Sequence, residues 1–222
     1  MILVSQSYVA DTEERNRELR SCREHNENSG VFSRVEYLDG TTQRLTFNEL
    51  VEHCNRKYRG TLCVVANSDI TFGSSVYSLV GLKKPNRLIA LTRWETVSSP
   101  RFLGWMRDES FYSGSQDSWA FVAGEIPKLS AEIPLGIVGC DSVIAGWGAL
   151  SGMEVINPCL TIRTMHVHAK PVERSESDPA LGGFFGYPEA TTLNTTGRVL
   201  CHHWPSEDGT WEFKWQLCHT KK

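Results

Sequence analysis

Apolar positions along the 222 residues fall into short runs broken by polar turns, and their spacing alternates between strand and helix periods. Residues 1–10 open on an apolar run and predict a strand with the loop after it. Residues 11–25 are dense in charge with sparse apolar positions, which predicts an exposed helix capped by Asp11 or Thr12. Residues 31–38 predict a second strand that stops at the turn pair Asp39-Gly40. Residues 47–58 place Leu50, Val51 and Cys54 on one helical face. Residues 62–66 are continuously apolar, as in a strand covered on both faces.

Further along, 74–82 predicts a short helix, 87–92 an apolar strand, 94–114 a loop-rich aromatic stretch and 118–123 another strand. Residues 141–151 read as a helix of small residues, with late strands at 153–156 and 160–167. Residues 170–196 carry Pro, Gly, Ser and Thr and predict a loop or lid, with Gly182-Gly183-Phe184-Phe185-Gly186 as a candidate lid segment. Residues 197–218 alternate around Trp211, Phe213 and Trp215 and predict a terminal hairpin. This order favours an α/β fold: a mostly parallel, twisted sheet with helices on both faces and a loop-rich C-terminal extension. Ligands of such sheets gather at the carboxyl ends of the strands, so the informative residues should sit just after strands.

Composition narrows the class. At 40% hydrophobic the chain can bury a substantial core, and a net charge of −3 lacks the footprint of a dedicated DNA-binding domain. No apolar run approaches the ~20 residues of a membrane span, and Ser5-Gln6-Ser7 interrupts the N-terminal run before a signal sequence could form. The expectation is a soluble, cytoplasmic protein without a membrane span. Seven scattered cysteines, an odd number, fit buried reduced thiols. Cys201, His202, His203, Cys218 and His219 match no common zinc spacing, so buried thiols and surface histidines are the default there.

Four segments carry candidate chemistry. Asn67-Ser68-Asp69 follows the buried run of 62–66; an acidic residue there can hold a divalent cation that neutralises a diphosphate, and a turn cap would use the same residue types. Asp39 ends the second strand, where a carboxylate can accept from a base N–H or close an Asp-Gly turn. Asp141 stands at a predicted helix start, as a general base or an N-cap. His166 and His168 share one face of a strand, as metal ligands or a surface pair.

In this order the segments resemble nucleotide-sugar glycosyltransferases of the GT-A fold. Leu38-Asp39-Gly40-Thr41-Thr42 is similar to the family's Asp-Asp-Gly-Ser segment, and Asn67-Ser68-Asp69 stands in the place of its D-x-D motif. Gly139-Cys140-Asp141, followed by a helix, is similar to the Glu-Asp segment whose second acid is the base of inverting members, and His168 falls where many members place a late metal-ligating histidine. Ala66-Asn67-Ser68-Asp69-Ile70, Ala90-Leu91-Thr92-Arg93-Trp94 and Ser115-Gln116-Asp117-Ser118-Trp119 also resemble a group of poorly characterised GT-A-like proteins. The resemblance covers roughly residues 1–170 and leaves 171–222 as an extension, a lid or hairpin packed on the same domain.

The resemblance implies transfer of a sugar from a nucleoside-diphosphate donor, most plausibly a UDP-sugar, to a hydroxyl of a glycan, small molecule, protein or modified nucleic-acid base. It assigns donor contacts to Gln6, Ser7, Tyr8, Asp39, Arg44, Asn67, Ser68, Asp69, Arg93 and Trp94, and Mn²⁺ or Mg²⁺ to Asp69, His168 and His166. Asp141 is the expected base and Asp117 its rival. Two departures stand out: Asn67 replaces the first acid of D-x-D, and Cys140 replaces the acid before Asp141. A nucleotidyltransferase is disfavoured because residues 5–12 hold neither glycine nor basic residue. A transferase that has decayed into a nucleotide-sugar-binding module is the other alternative.

Overall fold

The computed structural model describes residues 1–96, 99–100, 104–107, 109–167, 183–193, 198–204 and 216–217. In chain order the elements are β1 (Ile2–Ser7), α1 (Glu13–Asn28), β2 (Arg34–Asp39), α2 (Phe47–Lys57), β3 (Leu62–Ala66), β4 (Ile70–Phe72), a 3-10 helix (Ser74–Leu82), β5 (Arg87–Thr96), β6 (Ser99–Pro100) and β7 (Gly104–Arg107). There follow β8 (Ser110–Ser113), β9 (Gln116–Val122), α3 (Cys140–Leu150), β10 (Glu154–Ile156), β11 (Thr164–His166), β12 (Gly183–Pro188), β13 (Val199–Trp204) and β14 (Gln216–Leu217).

The main sheet runs β2-β1-β3-β9-β5-β11-β4, with β10 and β6 also paired to β5. β1 is parallel to β2 and β3, and β5 is parallel to β10 and β11. β9 lies antiparallel between β3 and β5, and β4 and β6 are antiparallel at the far side. The fold is therefore α/β with a mixed sheet, which corrects the expectation of a mostly parallel one. A run of buried apolar residues reports burial on two faces and carries no direction.

Helices cover both faces because the chain steps from β1 to one neighbour and then crosses to the other. Right-handed crossovers in opposite directions put α1 and α2 on opposite sides. β2 displays the consequence through its alternation: Tyr37 turns toward Asn26 and Arg23 of α1, while Glu36 turns toward His53 and Lys57 of α2. On the α2 side, Leu50, Val51 and Cys54 pack with Val4, Cys63, Val65, Trp119 and Phe121, and α3 joins them through Val143 and Ile144. Phe47 meets the Trp119 ring edge-on with centroids 5.7 Å apart. The other face buries Leu3, Val64, Ile89, Leu91 and Ala120 beneath Val76 and Leu79 of the 3-10 helix.

Local signals hold at the helix starts. Thr12 accepts from the backbone N–H of Arg15, and Thr46 forms a reciprocal capping box with Glu49 at the head of α2. The stretch 94–114, read as loop-rich, instead continues β5 to Thr96 and holds a β7–β8 hairpin. Pairing with β11 extends β5, through Thr164 to Arg93 and Met165 to Trp94. Part of the predicted lid is β12, which pairs with β13 and lies along α3; β13 pairs in turn with β14. Gly186 approaches α3 so closely that a Cβ there would sit 2.5 Å from the backbone nitrogen of Gly146.

Thr46→Ala should lower stability by about 1 kcal/mol, since it strips one arm of the capping box and leaves a helix N–H unmet. Gly186→Ala should cost more than Thr46→Ala, because backbone rather than a movable side chain blocks the added methyl. Urea denaturation of both variants checks the order; equal losses would contradict the close packing of β12 on α3.

Candidate functional site

One edge of the sheet collects the polar residues. Asn67 and Asp69 follow β3, Arg93 and Glu95 lie near the end of β5, and His166 ends β11. Asp117 lies near the start of β9, which reaches the same edge because β9 runs the opposite way. The register between β5 and β9 slips there: Leu91 pairs with Ser118 but Thr92 pairs with Gln116, so Asp117 is an extra, bulged residue. A bulge of this kind re-aims a side chain out of the regular pleat.

The side chains form one continuous network. Arg93 Nη1 donates to Asp117 Oδ2 at 2.6 Å, with the two side chains 8% and 5% exposed. Asn67 Nδ2 donates to Asp117 Oδ1 at 2.5 Å, and the Asn67 backbone N–H donates to the Asp117 carbonyl. Arg93 Nε reaches Glu95 Oε1 at 3.0 Å, Glu95 Oε2 lies 3.1 Å from His166 Nδ1, and His166 Nε2 lies 3.2 Å from Asp69 Oδ2. Arg15 of α1 closes the chain with an ion pair to Asp69 Oδ2 and a second to Glu18 at 2.8 Å. Asp141, in the first turn of α3, acts electrostatically on Arg93, and the Cys140 thiol donates to its Oδ1 at 3.1 Å.

Charge and burial fix the protonation states. Burial opposes ionisation of Asp69, but the bonds and charges of His166 and Arg15 outweigh it and hold the carboxyl well below its usual range. Burial likewise opposes charge on His166, and the Asp69 bond and charge overcome it, so the imidazole pKa is raised. With His166 protonated, the five carboxylates Glu18, Asp69, Glu95, Asp117 and Asp141 face three cationic groups, a net of about −2. Burial, with the charge of Asp141 next, raises the Cys140 thiol well above its ordinary value, so it stays a neutral donor.

Two acceptors remain unmet: Asn67 Oδ1 and Asp69 Oδ1 are buried with no hydrogen-bond partner. Unpaired acceptors in a net-negative cluster suit a cation. Among the described residues no group of three or more His, Cys, Asp or Glu converges as a complete metal site. His166, expected as a metal ligand, instead has both ring nitrogens on carboxylates and, once protonated, has no lone pair to give a metal, so of the described residues named for that role only Asp69, through Oδ1, keeps an unmet anionic oxygen. One carboxylate is less than a protein-only site for Mg²⁺ or Mn²⁺ needs, and the rest of the coordination would have to come from substrate phosphates. His168, the other expected ligand, lies outside the described residues, as do Cys218 and His219.

The remaining expected donor contacts have other partners. Gln6 is 2% exposed, and its amide accepts from the Leu45 N–H and donates to the Leu135 carbonyl. Ser7 Oγ donates to the Leu38 carbonyl and Ser68 Oγ to the Gln6 carbonyl. Asp39 is exposed and closes a turn by accepting from the Thr41 N–H and hydroxyl. Arg44 stands over the Tyr8 ring at 5.7 Å and donates to the Leu135 carbonyl. Trp94 is 5% exposed, donates to the Cys159 carbonyl and is covered by Arg163 at 4.2 Å, so it packs inside.

Three network members, Arg15, Glu18 and Glu95, escaped the sequence reading. Glu95 is two residues from Arg93 on the same face of one strand, a signal lost when β5 was ended at Thr92. Arg15 sits among many charges on α1 and carries no local signal. No protein-family model matches the chain, and no curated protein sequence matches it.

Asp117→Ala should destabilise by about 3–5 kcal/mol, because it strands a buried Arg93 charge; pairing it with Arg93→Met should recover much of that loss. Additive losses in the double variant would contradict a buried pair. The pH dependence has a defined sign. The stabilisation from His166 is complete below its unfolded pKa of about 6.5 and is lost as pH rises through the raised folded value. That from Asp69 is complete above about 3.9 and is lost as pH falls through the lowered folded value. Stability should therefore fall on the alkaline side of about pH 6.5 in the native chain and stay flatter in His166→Gln, as read by denaturation at several pH values.

Proposed function

We propose that this chain is a glycosyltransferase that moves a sugar from a nucleoside-diphosphate donor to a hydroxyl acceptor. The observation that carries the reading is the convergence of Asn67, Asp69, Arg93, Asp117, Asp141 and His166 on one edge of an α/β sheet, at the carboxyl ends of β3, β5 and β11. The GT-A resemblance predicts that these segments act together, and their assembly into one network supports it. Fold and resemblance alone would not carry the activity.

Asp141 is the base in this reading. It is only partly buried, whereas Asp117 is almost fully buried with one oxygen held by Arg93 and the other by Asn67. A base must reach an incoming hydroxyl, which favours Asp141 and leaves Asp117 to position Arg93. The head of α3 stabilises the ionised Asp141, and the Cys140 thiol fixes its Oδ1. As the acceptor oxygen bonds to the anomeric carbon, Asp141 takes the hydroxyl proton and the bond to the diphosphate breaks. The leaving diphosphate carries away the electron pair. Asp69, through its unmet Oδ1, would help hold a divalent cation, which supplies charge neutralisation to the diphosphate when bound. Arg93, two residues from Glu95 on β5, keeps the carboxylates of the cluster together.

Turnover of a panel of nucleotide sugars, followed as release of nucleoside diphosphate, tests the reading. The native chain should release diphosphate, and Asp141→Asn should lose at least about a hundredfold in kcat while keeping donor affinity. Unchanged turnover in Asp141→Asn rejects Asp141 as the base. Donor binding without turnover in the native chain marks a binding module.

A further inference from the structure

We propose that α1 is a hinged cover over the strand-end edge, held shut by polar bonds and latched to Asp69 by Arg15, and that it lifts as a unit while the rest of the sheet stays folded. The opening holds whatever reaction the edge performs, so it stands apart from the transferase reading above. The two crossover helices are anchored in different ways. α2 buries four apolar side chains, Phe47, Leu50, Val51 and Cys54, in 11 residues. α1 has 16 residues, and its buried positions are only Leu19, Cys22 and Asn26. The rest of its grip is polar. Asn26 Nδ2 donates to the Ile70 carbonyl at 2.8 Å, and its Oδ1 accepts from the Phe72 N–H at 3.2 Å. His25 Nε2 lies 3.1 Å from the Phe72 carbonyl. Arg15 donates to the Val167 carbonyl at 3.3 Å through Nη1 and pairs with Asp69 through Nη2.

These two kinds of anchor differ in what opening costs. Lifting α2 would expose apolar surface to water with nothing in return. Lifting α1 gives water to both ends of each polar bond, so each bond costs only its small net worth. Arg15 and Asp69 part into solvent together, which leaves neither charge stranded in the interior. An element with few apolar contacts is the one that opens at low free energy while the core stays closed. The joints are in place: Gly30, with φ +69°, follows the helix, and the loop before it carries Val9 at 75% exposure. The Asn16 side chain bonds both the N–H and the carbonyl of Ala10, so residues 10–28 move as one body. In the closed form Asp69 Oδ1 is buried and unmet while Arg15 occupies Oδ2. Lifting α1 withdraws Arg15 and lets a ligand reach that carboxylate.

The helices carry their own reporters, since Cys22 on the inner face of α1 and Cys54 on the inner face of α2 are both 0% exposed. Labelling of the native chain with iodoacetamide, read thiol by thiol by peptide mass spectrometry, tests the proposal. Each rate is divided by that of the same thiol in the urea-unfolded chain. Cys22 should label at least about tenfold faster than Cys54. Arg15→Met should speed Cys22 labelling roughly fivefold or more and leave Cys54 unchanged, which also shows that the variant is folded. Arg20→Met, which removes an exposed pair with Glu13 on the same helix, should change neither rate. Equal labelling of Cys22 and Cys54 in the native chain overturns the proposal, because both thiols then wait for global unfolding. Faster Cys22 labelling that Arg15→Met does not change, or that Arg20→Met raises equally, overturns the latch.

Discussion

The buried ion pair between Arg93 and Asp117 is the interaction on which the strand-end edge depends. It joins β5 to β9 at the point where their register slips, and through Asn67 it ties in β3. Two charges that are nearly excluded from water are tolerable only when each meets the other and the remaining hydrogen-bonding capacity is used. Asn67 and Glu95 meet that condition on either side. The antiparallel insertion of β9 makes the pair possible, because a strand running the other way presents its start, and Asp117, beside the ends of its neighbours.

From that pair outward, the molecule separates roles by exposure. The sheet interior and the α2 face are apolar, with Phe47 meeting Trp119 and Phe121 edge to face. The strand-end edge carries alternating charges from Arg15 to Asp117, with two unmet acceptors among them. Unmet buried acceptors cost stability, and their placement beside Asp69 and Asn67 gives that cost a function if a cation or donor group arrives there.

The core of the fold was legible because its signals were local. The face of α2, the continuous run of β3, the cap at Thr12 and the small-residue α3 follow from spacing and side-chain type. What was not legible depends on partners distant in sequence. The direction of β9, the extension of β5 past Thr92 and the strand β12 within a Gly- and Ser-rich stretch are all set by pairing. The site divides in the same way. Asn67, Asp69 and Asp117 announced themselves by standing beside strands, His166 by sharing a strand face with His168, and Asp141 by standing at a helix start. Arg15 sits on a charged helix where nothing local distinguishes it, and only the crossover that lays α1 against β4 brings it to Asp69. Gln6 and Trp94 show the converse: chemistry-bearing side chains whose polar groups are used by the backbone around them.

Thermal unfolding in the presence of UDP and a panel of UDP-sugars, with and without Mn²⁺, tests the central claim most directly. A donor at about 100 times its dissociation constant should add roughly 2.7 kcal/mol of stability. The account predicts a rise in unfolding temperature with UDP or a UDP-sugar that grows when Mn²⁺ is added. No rise with any nucleotide, with or without metal, would contradict it and leave the strand-end network as a structural feature of the sheet.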